Sequence, residues 1–456
     1  MTTPRPTLVA ERPEPAPPRP WRFPAFERSE VAGGRLISCH LPGKPLAMLV
    51  LVLDAGAVTE PRGQEGVALL LARALSEGTT TRSAYEFAVA GERVGATWRA
   101  DTDWDSLRCG FEVPVGDLPA AAELLAEAVR SPGLEDETLA RVRDERVDEL
   151  ALDLSQPGPR AAVAFGEAVF AAGTRYAVRD GGDVGTVAAL GPGDIRGFHA
   201  ARFAPGAATL VAVGDLEHTD MPALARTVFE GWSTAVSPPS PPTIGLRGEG
   251  RRVVLVDRPG SVQSMLYAGH DGPPRAIDDY VPTTTMALAL GGMFNSRLNY
   301  RLREDKGYTY GAFGGFDCRR HGGVFLARAA VQSEVTAAAL SELHNEIRLL
   351  HDDGLQDDEL DLARRYRAGI FPINFAGPGS VASGLSDLVV HGLPDDHFDR
   401  LRAQIEAVTV DEVNAAAAQR LRPDDIVSVV VGDASAVGDA LRDAGLGPVE
   451  VVTDED

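Results

Sequence analysis

The sequence predicts an α+β fold of two homologous domains, each with an antiparallel or mixed β-sheet packed with helices. The first observation behind this prediction is an internal duplication. GLEDETL from Gly133 matches GLQDDEL from Gly354, and a valine-rich run ending at Asp215 matches one ending at Asp433. The two pairs have nearly the same separation, which indicates two copies of one domain rather than a short-repeat solenoid. The second observation is that strand-like runs precede helix-like runs in each copy, which favours an antiparallel sheet over alternating βαβ units.

The composition limits the compartment and the kinds of partner. The 456-residue chain carries a net charge of −22. This acidity opposes binding to nucleic acid, because affinity for nucleic acid comes largely from neutralised phosphates. The sequence has no run of about 18 uncharged apolar residues, so we expect no membrane partner. Cys39, Cys109 and Cys318 show no CxxC spacing, and the start of the chain lacks the apolar segment of a secretory signal. We therefore expect a cytoplasmic protein.

Prolines mark the borders of the two copies. The start of the chain is rich in proline, and the four prolines between Pro238 and Pro242 predict an extended, semi-rigid linker. The predicted division is a flexible Pro-rich arm at 1–25, an N-terminal domain at 26–233, the linker at 234–250, a C-terminal domain at 251–436 and an acidic C-terminal tail at 437–456.

One predicted helix of the first copy carries an unexpected charge. In GVALLLARALSEGT every residue from Val67 to Leu75 is apolar except Arg73, and Gly78 is expected to close the segment. A helix that is apolar all round is normally buried. Because a lone buried cation is costly, Arg73 requires either a partner or a route to water.

The second copy contains a helix-and-strand motif. The run NSRLNYRLRED predicts a helix that ends at Lys306-Gly307, because glycine is the residue most often found just past a helix C-terminus. The run YTYGAFGGF is expected to continue as a strand, since aromatic residues favour strands.

Four stretches of the chain resemble the pitrilysin/insulinase family of zinc peptidases, the inverzincins. They are GAVTEPRGQEGVALLLARALSEGT, VGATWRADTDWDSLRCGF, RVRDERVDEL and GGMFNSRLNYRLREDKGYTYG. The resemblance is closest to the short, mitochondrial-processing-peptidase-like members and covers the chain from about Arg35 to Asp433. It implies that the two domains together form one bilobed half of a clamshell.

The resemblance also identifies this chain as a non-catalytic subunit. Active members carry H-x-x-E-H on the first helix, where two histidines hold zinc and the glutamate activates its water. Those positions fall on Leu69, Ala72 and Arg73, while the family's third ligand matches Glu149. We therefore expect no catalytic residue and no metal in this chain. We predict a direct Arg73–Glu149 ion pair at the abandoned metal position. In the alternative, Arg73 reaches water and complements the helix dipole.

The second-domain motif is intact and implies a role in substrate binding. In family heterodimers an Arg and a Tyr of the zinc-free subunit reach the substrate at the partner's metal, and these match Arg303 and Tyr310. A guanidinium suits a peptide carbonyl or carboxylate, and a phenol can donate to an oxyanion. In the alternative, Arg303 complements its helix C-terminus and Tyr310 packs on the sheet. Active members also bind substrate as an extra strand beside an Asn-Ala-x-Thr segment, in which Arg99 here replaces the asparagine.

These features predict a catalytically silent subunit of a heterodimeric zinc metallopeptidase. We expect no activity from the chain alone. The expected partner is a homologous subunit that carries an intact H-x-x-E-H motif and holds the zinc, and the expected substrate is an unfolded or short peptide. The alternative of a different class is a stand-alone peptide-binding or scaffold protein derived from a peptidase.

Overall fold

Two six-stranded sheets, one in each sequence copy, organise the chain. The computed structural model describes residues 21–232, 235–236 and 238–453. The first sheet contains β1 (Glu27–Val31), β2 (Gly34–His40), β3 (Leu46–Leu53), β4 (Thr97–Thr102), β5 (Leu107–Pro114) and β6 (Ala208–Gly214). The second contains β7 (Arg252–Asp257), β8 (Gln263–Gly272), β9 (Ala312–Cys318), β10 (Gly323–Gln332), β11 (Val427–Gly432) and β12 (Val449–Thr453).

The strand order shows the duplication directly. The sheets run β1-β2-β6-β3-β5-β4 and β12-β7-β11-β8-β10-β9, so five strands occupy equivalent places in the two sheets. The pairs β2–β6 and β7–β11 are parallel, whereas β3 and β8 are antiparallel to both of their neighbours. The predicted α+β class with two mixed sheets is confirmed. The strands β4 and β9 form equivalent edges.

Helices lie between and after the strands in both copies. The first copy contributes α1 (Val67–Ala74), α2 (Ala84–Arg93), α3 (Leu118–Arg130), α4 (Asp136–Leu154), α5 (Pro157–Val169), α6 (Val184–Ala189), α7 (Pro192–Arg202) and α8 (Met221–Phe229). The second contributes α9 (Tyr280–Ala287), α10 (Arg297–Asn299), α11 (Thr336–Asp353), α12 (Asp357–Asn374), α13 (Pro378–Val390), α14 (His397–Ala407), α15 (Val410–Arg420) and α16 (Ala434–Asp443). Within the described ranges, no helix has the length and apolar character needed to cross a bilayer.

The two copies exchange one helix each. Helix α13 of the second copy packs on β3 and β6 of the first sheet, and α5 of the first copy packs on β8 and β11 of the second. The exchange buries a second apolar face of each sheet, because Val52 of the first sheet lies in one core with Leu385, and Tyr267 of the second lies in one core with Phe165. The two domains are therefore joined by core packing rather than by the linker alone.

The ends of the chain are more ordered than the sequence predicts. The predicted tail at 437–456 instead completes α16 and forms β12, which pairs in parallel with β7, and only residues 454–456 lie outside the described residues. The buried side chains of Val437 and Leu441 explain the fold of this acidic segment. Of the predicted arm at 1–25, residues 1–20 lie outside the described residues. Trp21, however, stacks on Phe375 with ring centroids 5.8 Å apart.

The linker and the second-domain motif also differ in detail from the prediction. Residues 238–245 of the predicted linker take no regular structure, as expected for a segment rich in proline. The strand expected from Tyr308 begins only at Ala312. The reason is a turn. Gly307 has a φ of 64°, and the hydroxyl of Thr309 donates to the carbonyl of Gly311 and accepts from the N–H of the same residue.

Candidate functional site

The first helix is held at its N-terminus by a buried carboxylate. Gly66 precedes the helix with a φ of 100°, which a side chain would strain, and it supplies no capping side chain. Instead, Oε1 of Glu60 accepts hydrogen bonds from the backbone N–H groups of Gly66 and Ala68. Oε2 of Glu60 pairs with Arg175 Nη2 at 2.6 Å, and both side chains are at least nine-tenths buried. The helix position is thus fixed by a buried ion pair.

This helix exposes a single stripe. Leu69 and Arg73, one turn apart, are only partly buried, whereas Ala72 and the other residues of α1 are buried. Side chains four residues apart lie on the same helix face. The sequence-based expectation that the whole helix is buried is therefore wrong for the stripe that carries two of the three degenerate motif positions.

Arg73 and Glu149 form the predicted ion pair. The two guanidinium nitrogens of Arg73 donate to the two carboxylate oxygens of Glu149 at 2.9 and 2.7 Å, a bidentate arrangement. Arg146, one turn earlier on α4, donates a third hydrogen bond to Glu149 at 3.2 Å. The hydrogen bonds from Arg73 hold the pKa of Glu149 below its usual range, so this carboxylate is ionised at neutral pH. The alternative in which Arg73 only reaches water is wrong.

These residues do not fit a zinc ion. Zinc in a catalytic site takes three protein ligands from nitrogen, sulfur or carboxylate oxygen atoms. Leu69 and Ala72 have no ligand atom, Arg73 is a cation, and Glu149 has both oxygens engaged by guanidinium groups. The guanidinium of Arg73 therefore lies beside Glu149, at the position where active members of the family hold the zinc ion.

An open cleft of about 770 Å³ adjoins the ion pair. One wall is the edge strand β4, which contributes residues 98–101, and the facing wall is α13, whose contribution is confined to glycine, alanine and serine. The floor carries charged side chains, among them Arg73, Glu77 and Glu145. Because β4 pairs with β5 alone, its outer edge can accept an extended chain by main-chain hydrogen bonds.

The residue that replaces the family asparagine lies at this cleft. The Arg99 side chain is 63% exposed and pairs across the sheet with Glu112 of β5 at 2.9 Å. Deeper along the wall, Arg108 of β5 pairs with Asp387 of α13 at 3.1 Å. This second pair joins the first sheet to α13, and no local pattern predicts it because the two residues are 279 positions apart.

The second-domain motif is on the surface. Arg303 lies in a π-helical segment, Tyr300–Asp305, with its guanidinium 4.4 Å from the Phe294 ring centroid. Its nearest carboxylate is that of the adjacent Glu304, at 3.5 Å. Tyr310 is 97% exposed, so the alternative in which Tyr310 packs on the sheet is wrong. Neither residue lines the cleft beside β4.

The structure therefore brings some predicted residues together and leaves others apart. Arg73 and Glu149 meet directly, whereas Arg303 and Tyr310 are presented to solvent on the second domain. Sequence reasoning missed the buried pair of Glu60 and Arg175, because an ion pair between residues 115 positions apart leaves no periodic pattern. It also missed Arg146, although the i, i+3 spacing of Arg146 and Glu149 on a helix is a local signal from which this contact could have been predicted.

One further group of potential metal ligands occurs in the described part of the chain. His40, Asp215 and Glu217 each offer a ligand atom within 4.8 Å of the others. The group lies partly in solvent, and Nδ1 of His40 already accepts a hydrogen bond from the backbone N–H of Leu216. These contacts account for the cluster as a surface link between β2 and the end of β6.

Comparison with known proteins decides the family. A model described as Insulinase (Peptidase family M16) matches residues 35–157, and one described as Peptidase M16 inactive domain matches residues 189–366. The two matches together cover about two thirds of the chain. This chain belongs to the insulinase family, peptidase family M16. The resemblance inferred from the four sequence stretches is thereby confirmed.

Some relatives of this M16 chain are described as zinc proteases and another as a non-peptidase homolog. It is 26% identical over 412 residues to an uncharacterized zinc protease of Mycobacterium tuberculosis, covering 89% of this chain and 93% of the relative. It is 22% identical over 396 residues to a non-peptidase homolog of Helicobacter pylori, covering 85% and 89%. In three dimensions it is similar to a peptidase M16 inactive domain from Pseudomonas fluorescens, with a TM-score of 0.83, 24% identity, and 90% and 98% coverage.

Proposed function

We propose that this M16 chain is the catalytically silent subunit of a two-chain zinc peptidase. It closes the peptide chamber and supplies Arg303 and Tyr310 to a substrate held at the zinc of its partner. The observation that carries the proposal is the contrast between the two motifs. The zinc-motif face is occupied by the Arg73–Glu149 pair, while the side chain of Tyr310 is 97% exposed.

The surroundings of Arg303 support a role toward another molecule. Besides Tyr310, two other aromatic side chains of the same motif are exposed: Phe294 at 65% and Tyr300 at 67%. Exposed aromatic and arginine side chains are enriched at binding sites, where they become desolvated. The Phe294 ring positions the guanidinium, and the neighbouring carboxylate is too far for a tight bidentate pair.

The proposed chemistry is binding and electrostatic stabilisation. The guanidinium of Arg303 would hold a peptide carbonyl or a terminal carboxylate by charge-assisted hydrogen bonds. The phenol of Tyr310 would donate to the oxyanion that develops on the scissile carbonyl. The partner is a homologous M16 subunit with an intact H-x-x-E-H, and no step of the reaction uses a metal bound to this chain.

Variants of the motif test this proposal. In a complex with an H-x-x-E-H homologue from the same organism, Arg303→Ala and Tyr310→Phe should each slow cleavage of a quenched fluorescent peptide. Loss of one oxyanion donor typically lowers the rate by about 10²–10³. The matched controls are Arg328→Ala, an exposed arginine beside Phe313, and Tyr85→Phe, an exposed tyrosine on α2 of the first domain, and both should leave the rate near that of the wild type. Wild-type rates in assembled complexes of both motif variants would refute the proposed contribution.

A stand-alone peptide-binding protein is the second candidate, and the cleft beside β4 favours it. The outer edge of β4 is unpaired, and the cleft volume of about 770 Å³ is large enough for an extended peptide to bind beside it. Calorimetric titration of the isolated chain with unfolded peptides separates the two functions. Tight binding without any partner, in a chain that forms no complex with an H-x-x-E-H homologue, would favour this candidate over the subunit.

A further inference from the structure

The exchanged helices create two equivalent spaces, one in each domain. The open cleft lies between α13 and the edge strand β4 with its neighbour β5. Its counterpart lies between α5 and the edge strand β9 with its neighbour β10, and has a volume of about 380 Å³. The two differ in their helix walls: Ser386 of α13 lines the first, and the large ring of Phe165 lines the second at the equivalent place.

The second cavity has mostly aromatic and aliphatic walls. Phe165 of α5 lines it together with Tyr267 of β8 and with Phe313 and Phe316 of β9. Leu326 of β10, the strand between β8 and β9, also lines it. A concave site of this size with apolar walls and a few polar groups is typical of a small-molecule site. The exposed residue Ala162 also lines the cavity, which marks its opening to solvent.

Three polar residues that line the cavity each have a buried atom without a hydrogen-bond partner. Within the described ranges, nine buried side-chain nitrogen or oxygen atoms have no hydrogen-bond partner, and three of them belong to residues that line this cavity: Oη of Tyr176, Nη1 of Arg179 and Nη1 of Arg319. Buried polar atoms are normally hydrogen-bonded, because leaving one unpaired is costly. Three residues with such an atom at one cavity point to a missing acceptor.

All three unpaired groups are donors at neutral pH. Burial raises the pKa of Tyr176 to about 12, so its phenol keeps its proton. Arg179 uses Nη2 to pair with Asp153 at 2.7 Å, and Arg319 pairs with Asp317 at 2.8 Å, which leaves Nη1 of each guanidinium unused. The Arg319 guanidinium is further fixed against the Trp104 ring, 4.1 Å from its centroid.

We propose that this cavity binds a small carboxylate with an apolar or aromatic body. The apolar walls between α5 and the second sheet take the body, and Tyr176, Arg179 and Arg319 take the carboxylate. Charge-assisted hydrogen bonds from guanidinium groups to a carboxylate are among the strongest in proteins. Because the walls come from both domains, the ligand joins them. The shared chemistry occurs in free organic acids and in the C-terminal residue of a peptide.

Calorimetric titration of the full chain tests this site with two probes, 4-phenylbutyrate and acetyl-Ala-Phe, each beside its amide. At least one acid should bind at one site per chain, and its amide at least about tenfold more weakly. The acid that binds identifies the source of the ligand. Absence of binding by both acids, or equal binding of acid and amide, would overturn the proposal.

Three variants locate the binding. Tyr176→Phe should weaken binding of the acid by about two- to tenfold, the effect of one neutral hydrogen bond. The melting temperature should change little, because the phenol donates to no acceptor of the protein and loses at most the contact with the backbone N–H of His321. Ala162→Phe should block the opening and weaken binding by at least about tenfold. Ser383→Phe, the equivalent exposed position on α13, should leave binding unchanged. Loss of binding in Ser383→Phe but not in Ala162→Phe would place the ligand in the other cleft and overturn the assignment.

Discussion

At the scale of single residues, Arg73 replaces a zinc ligand of the family and binds Glu149 instead of a metal ion. The sequence predicts the Arg73–Glu149 contact because the two family positions meet at a metal, and the structure confirms it with two hydrogen bonds. The degree of burial could not be predicted in the same way. A helix with apolar residues all round gives no sign that Arg73 lines an open cleft. The side chains of Arg73 and Glu149 are 34% and 48% exposed.

The exposure of this pair determines its contribution to stability. Arg73→Ala should lower the free energy of unfolding by about 1 kcal/mol or less, because exposed ion pairs contribute little even when bidentate. A buried pair would give about 3–5 kcal/mol. Denaturant unfolding at pH 7 measures the difference.

The pH dependence provides the control for this variant. Because the pKa of Glu149 is lowered in the folded chain, the pair contributes above the ordinary glutamate pKa and the contribution is lost as the pH falls through the folded value. The difference between Arg73→Ala and wild type should therefore shrink as the pH falls below the ordinary glutamate range, and it should vanish once Glu149 is protonated in the folded chain. A loss of more than about 3 kcal/mol at pH 7 would contradict this account.

At the scale of elements, the first helix keeps its place after losing the metal motif because another ion pair fixes it. Glu60 caps the helix and pairs with Arg175, and the side chains are 0% and 7% exposed. Sequence patterns predict the helix and its approximate end, since these depend on local residues. They do not predict its anchor, because Glu60 and Arg175 are 115 residues apart.

The anchor should matter far more than the exposed pair. Glu60→Ala strands a buried guanidinium and two N–H groups of the helix, so we expect a loss of about 3–5 kcal/mol in the free energy of unfolding. Glu60→Gln should cost less, because it keeps an acceptor for the helix and because burial already raises the pKa of the Glu60 carboxyl. Thermal and denaturant unfolding of both variants beside Arg73→Ala provide the comparison. Equal losses in Glu60→Ala and Arg73→Ala would contradict the assignment of the anchor.

At the scale of the whole molecule, the duplication predicts two similar sheets but not their connection. Nothing local in either copy shows that α5 and α13 each pack on the sheet of the other copy. That exchange forms both the open cleft beside β4 and the apolar cavity beside β9. It also explains why the sequence indicated the β4 wall of the cleft but not the α13 wall, which comes from a segment far along the chain.

As a whole, the chain is proposed to act as the partner of an active peptidase subunit rather than as an enzyme alone. The most direct measurement is a titration of this chain into a fixed amount of a homologue with an intact H-x-x-E-H, with peptide cleavage followed by fluorescence. We expect no cleavage by this chain alone, and a rate that rises with added chain and saturates at one chain per homologue. Chelator-sensitive cleavage by the isolated chain, or a homologue whose rate does not respond to a bound chain, would contradict the account.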